Sequence, residues 1–121
     1  MNAELKGFYS TDVDDVLNFM PLNEEEFSFS LQLLVGPKGM DGEESFEVEV
    51  CTPKWILREY DRSEVVMGRH RLIMAKYDFE RLMGFIEKYI SSCTGDNWEE
   101  VAGKLSRLGR WEFEDYIDKH I

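Results

Sequence analysis

Two histidines and two cysteines are all that this 121-residue chain offers of the side chains most used for catalysis and metal binding. Cys51 and Cys93 are too few for a disulfide scaffold, and neither has the close neighbour of a metal site. They read as free thiols packed inside. No uncharged stretch is long enough to cross a bilayer, so a membrane span is excluded. No apolar run follows a basic head at Met1 to Lys6, so no signal peptide is expected and the expected location is cytoplasmic. A phosphate-binding loop is missing as well. Gly36-Pro37-Lys38-Gly39 holds glycine and lysine, but Pro37 removes an N–H and the stretch reads as a turn. Basic residues are scarce in the first half: residues 1–50 hold 12 acids and only Lys6 and Lys38 as bases. The whole chain carries 25 acids and 14 bases, for a net charge of -11. That balance excludes duplex nucleic acid and anionic membrane as partners of the acidic half and favours a basic protein.

What is present builds one domain, residues 1–121. The chain is 43% hydrophobic and 13% aromatic, too rich for disorder. Residues 2–9 read as a first strand. Val13, Val16, Leu17 and Met20 recur at helical spacing, which predicts one or two helical turns over Asp12 to Phe19, stopped by Pro21. Residues 27–35 alternate: Phe27, Phe29, Leu31, Leu33 and Val35 against Ser28, Ser30 and Gln32. Residues 44–51 alternate again, with Phe46, Val48 and Val50 inward and Glu47, Glu49 and Cys51 outward, so the two runs predict an antiparallel hairpin. Thr52-Pro53 opens a short helix to about Tyr60 with Trp55, Ile56 and Tyr60 as its buried stripe. A strand is predicted at 69–75, and a helix from Asp78 to about Ser92 with Phe79, Leu82, Met83, Ile86 and Ile90 on one side. Asp96 with Glu99 suggests a capping box for a helix carrying Trp98, Val101, Ala102, Leu105 and Leu108, closed by Gly109 as a left-handed cap. Trp111 to Tyr116 suggests a last short helix. The sum is an α+β domain: an antiparallel sheet of about four strands with C-terminal helices packed on one face.

No catalytic set assembles. His70, in Gly68-Arg69-His70-Arg71, would need a nucleophile or carboxylate beside it to act as a base, and reads as a structural histidine. His120 is the penultimate residue. Asp12, Asp14 and Asp15 lack the spacing of a calcium loop. No metal and no cofactor is expected. Trp55, Trp98 and Trp111 each begin an apolar stripe and read as core. Arg69, Arg71, Lys76 and Arg81 form a small basic cluster expected to pair with the acidic half. The remaining candidates for partner binding are Glu24, Glu25 and Glu26 before the second strand, Asp41, Glu43 and Glu44 in the hairpin loop, and Glu47 and Glu49 on the outer strand face. Tyr9, Leu34 or Met40 would serve as apolar anchors, though nothing singles them out.

Several stretches together resemble the immunity protein 8 family of bacterial polymorphic toxin systems. They are Phe27 to Gly39, Glu43-Glu44-Ser45-Phe46, Val50-Cys51-Thr52-Pro53-Lys54-Trp55, Gly68-Arg69-His70, Tyr77-Asp78-Phe79-Glu80-Arg81, Trp98-Glu99-Glu100-Val101 and Leu105 to Tyr116. The resemblance covers almost the whole chain. It implies a small, cytoplasmic, non-enzymatic inhibitor that binds a cognate toxin domain, here a basic one, and occludes its active site or an exosite. Two other readings stay open: a general protein-interaction or regulatory module, and a small hydrolase using His70. A homodimer through an unpaired edge strand is also compatible with the sequence.

Overall fold

Alternating residues along three strands supply the sheet side of the core. The computed structural model describes residues 1–114. β1 (Ala3–Tyr9), β2 (Ser28–Pro37) and β3 (Glu44–Cys51) form an antiparallel meander. Phe29, Leu31, Leu33 and Val35 of β2 lie beside Phe46, Val48 and Val50 of β3 on one face, and all are buried. Each such side chain contributes roughly 1.5–3 kcal/mol relative to exposure.

Two helices cover that face. α2 (Phe79–Ser92) buries Leu82, Met83, Ile86 and Ile90, and α3 (Trp98–Leu105) buries Val101, Ala102 and Leu105. The stop and start signals are local. Asp78 accepts from Arg81 N at 3.1 Å and caps α2. The cap of α3 is Asn97, one residue later than the expected Asp96, and it accepts from Glu100 N at 3.0 Å. Glu100 reaches back to Asp96 N at 2.9 Å, so a reciprocal box forms in a register shifted by one. A third helix, α1 (Pro53–Glu59), is capped by Thr52 as expected. It buries no residue fully, and Trp55, Ile56 and Tyr60 are only partly covered.

The sheet is mixed, not purely antiparallel. β4 (Arg71–Ile73) runs parallel to β3 and pairs with Glu49 to Cys51, whereas β5 (Arg110–Trp111) runs antiparallel and pairs with Phe46 and Glu47. The two short strands share one edge of β3 end to end. The parallel direction follows from the crossover through α1, which returns the chain to the start side of the sheet. β4 is shorter than the expected 69–75 because His70 enters it with φ 63, a left-handed conformation.

Three further expectations are corrected. Asp12 to Phe19 forms turns, not helix. Ser10 Oγ accepts from Asp12 N and Val13 N at 3.0 and 3.2 Å, and the Asp12 carboxylate accepts from Ser30 N at 2.7 Å. These side-chain bonds to backbone displace the helical ones. Val16 still reaches the core, and Phe19 packs with Phe27, Phe29 and Tyr77 in an aromatic cluster. Gly109 is not a left-handed cap, since its φ is not positive. It lets the chain pass β3, where an added Cβ would sit 3.1 Å from Glu47 O. Trp111 to Glu114 is strand and turn; Tyr116, like His120, lies outside the described residues.

Candidate partner-binding face

The face of the sheet turned away from α2 and α3 is built by the polar phase of the same strands. Register places its side chains in rows. One row runs Tyr9, Gln32, Glu47, Arg110 across β1, β2, β3 and β5. The next runs Ser30, Glu49, Arg71 across β2, β3 and β4, and a third runs Ser28, Cys51, Ile73. Small side chains at Gly7, Ser28, Ser30 and Ser45 keep the surface low between them.

Hydrogen bonds fix the middle of this face. Gln32 Nε2 donates to Glu47 Oε2 at 2.6 Å, and Ser45 Oγ donates to Gln32 Oε1 at 3.0 Å. Arg71 Nε donates to Glu49 Oε1 at 3.0 Å, and Arg71 Nη2 donates to Tyr60 Oη at 2.9 Å. Partial burial opposes the Arg71 charge, but the bond and charge of Glu49 outweigh it and raise its pKa above the ordinary value. Arg110 stands directly opposite Glu47 in register and forms no ion pair among the described residues. Tyr9, at the end of the row, is 49% exposed. A groove of about 350 Å³ lies between Glu47, Glu49, Arg71 and Arg110 on one side and Glu64 to Met67 on the other.

The expected acidic residues fall in three places. Glu24, Glu25 and Glu26 precede β2 and pair with Lys76 (3.3 Å), Lys54 (3.6 Å) and Arg58 (2.8 Å). Asp41 and Glu43 are exposed in the turn at the far end of the hairpin, about 30 Å away by strand length. Glu47 and Glu49 lie between, on the face itself. Glu44 points to the other side, where it accepts from Trp98 Nε1 at 2.8 Å and from Trp111 Nε1. Of the basic cluster, Lys76 and Arg71 pair with the acidic half, while Arg69 pairs with Glu114 and Arg81 with Asp78.

Sequence reasoning missed Arg110 as part of the face, because it fell between an expected cap at Gly109 and an expected helix from Trp111. It saw Gln32 and Tyr9 without their alignment. The alternation of β1 and β2, extended across the meander, would have found that alignment. His70 Nε2 donates to Ser106 O at 2.7 Å and lies 3.9 Å from Glu114 Oε1, so this ring ties β4 to the end of α3. Among the described residues no cluster of His, Cys, Asp or Glu could hold a metal ion, and no helix is long and apolar enough to cross a membrane.

The family model described as immunity protein 8 matches residues 3–116, nearly the whole chain. The chain belongs to the immunity protein 8 family. Comparison with curated proteins and with solved structures finds no match. The immunity protein 8 family comprises immunity proteins of toxin systems and is not a family of enzymes. Within it, this chain combines a core face covered by α2 and α3 with a polar face on which Gln32 and Cys51 are buried and Glu47, Arg110 and Tyr9 are exposed.

Proposed function

We propose that this protein binds a cognate, basic bacterial toxin domain in the cytoplasm and neutralises it by covering the toxin's active site or an adjacent exosite. The contact surface is the sheet face turned away from α2 and α3. The observation that carries this reading is the row Tyr9, Gln32, Glu47, Arg110, in which Tyr9, Glu47 and Arg110 are exposed and the buried Gln32 supports them. Its middle is held in place before binding by the Gln32–Glu47 and Arg71–Glu49 bonds. Preset side chains lose little freedom on docking. Tyr9 and Arg110 are of the residue types that most often anchor interfaces. Glu47 and Glu49 make contact, and Glu24, Glu25, Glu26, Asp41 and Glu43 add a field that steers a basic partner. Glu44 supports the face from behind through its two indoles.

The test is binding and inhibition with toxin C-terminal domains from the same genome. Glu47→Lys reverses one charge at the centre of the face, and Glu99→Lys makes the same change on exposed α3. Glu47→Lys is expected to weaken capture of the cognate domain about tenfold or more, close to 1.4 kcal/mol, with Glu99→Lys near wild type. Equal effects of the two would remove the face from the interface. Failure of the wild type to bind or inhibit any such domain would remove the toxin.

A further inference from the structure

Away from that face, β4 has an unfinished outer edge. Glu49 N donates to His70 O at 2.9 Å, and Met74 N donates to Cys51 O at 3.0 Å. These bonds turn the peptide groups of His70, Leu72 and Met74 toward β3. By alternation, the N–H and C=O of Ile73 point outward. β4 pairs only with β3, so no strand among the described residues lies there.

Beside this edge runs a groove of about 600 Å³, larger than the one on the open face. Leu72 and Met74 line it from the sheet, and Leu82 and Phe85 from α2. Ile73 and Phe85 are 52% and 54% exposed at its mouth. Lys76, Asp78 and Arg81 stand on the rim, two cations and one carboxylate on a chain of net charge -11. The pairs of Lys76 with Glu24 (3.3 Å) and of Arg81 with Asp78 (3.5 Å) are well exposed and readily exchanged for another carboxylate.

We propose that this groove takes an extended acidic-apolar segment of a protein partner, added to β4 as a further strand. The added strand pairs with the peptide group of Ile73. Its alternate side chains point to opposite layers: one, apolar, toward Leu82 and Phe85, and the next past Ile73. An acidic neighbour meets Lys76 or Arg81, which repel a basic strand. This site shares Ile73 with the open face, but its groove lies on the α2 side, and it does not depend on the toxin reading.

The probe is a displayed library of random peptides about ten residues long, selected against the whole chain. The expected winners alternate apolar residues with Asp or Glu. Ile73→Pro removes the outward N–H without removing a bond to β3, and Phe85→Glu places a negative charge in the groove. Each is expected to weaken the winning peptide about tenfold or more, while Glu99→Lys leaves it unchanged. In the unaltered protein, hydrogen exchange at the Ile73 amide slows on peptide addition, a readout that does not depend on either variant folding. Three results each overturn the proposal: no peptide enriches, the winners leave Ile73 exchange unchanged, or the free chain is a dimer that Ile73→Pro splits.

Discussion

Tyr77 packs its ring against Phe19, Phe27 and Phe29, and its buried hydroxyl has no hydrogen-bond partner among the described residues. Burial pushes its pKa above the ordinary tyrosine value, so the group stays protonated and unsatisfied. A buried polar group left unpaired costs about 1–3 kcal/mol. Tyr77→Phe is therefore expected to raise stability by about 1 kcal/mol in urea unfolding. Cys51 gives a second test at this scale. Burial first, then the charge of Glu49, pushes its pKa from 9.0 up to about 11, against a smaller opposite effect of Arg71. Between those values the unfolded thiol loses its proton while the folded one keeps it. Stability falls as pH rises through that window, by at most about 1.4 kcal/mol per unit. Guanidinium unfolding at about pH 8 and about pH 10.5 checks this, and Cys51→Ala is expected to flatten the slope. A residue role set by neighbours in sequence was legible: Thr52 before Pro53 caps α1 as its position suggests. Glu44 was not, because its two indole donors lie 54 and 67 residues away.

At the scale of elements, period-two alternation located β2 and β3 to within two residues, and a 3.6-residue period located α2. Both signals are internal to one element. The helix expected at Asp12 to Phe19 failed because Ser10 and Asp12 prefer bonds to backbone, one of them to a strand 18 residues on. β5 was read as helix because two residues carry no period, and only β3 makes them a strand. The hairpin tip offers a sharper test. Gly36 of β2 passes so near the turn that an added Cβ would lie 2.0 Å from Gly42 O, a backbone atom. Gly36→Ala is expected to cost about 3 kcal/mol or more, read as a lower unfolding midpoint at unchanged m-value. Gly84→Ala, in α2 with nothing within 4 Å of the new Cβ, is its control. It is expected to gain about 1 kcal/mol from helix propensity.

For the whole molecule, charge was the most informative part of the composition, and topology was the least readable. The strand order depends on which edge of β3 receives β4 and β5, and that is decided by contacts across more than 20 residues. The net charge of -11 leads to a kinetic expectation. Association with a basic toxin domain is expected to slow about tenfold or more from low to high salt, with dissociation changing far less. Stopped-flow mixing at two ionic strengths separates the two rates. A dissociation rate that carried the salt effect would place the charges inside the contact and not around it.

The divided edge of β3 also bears on time. Its partner on one side is made before it, but the last piece of the other side, β5, is made 60 residues after Cys51. At a synthesis rate of roughly 5–20 residues per second, that interval is on the order of 3–12 seconds. Within it β4 closes the border at Glu49 to Cys51, and α2 and then α3 become available to cover the apolar face, so the stretch at Phe46 and Glu47 is the last to find a partner. A newly made chain is thus complete as a sheet only when Arg110 and Trp111 have left the ribosome.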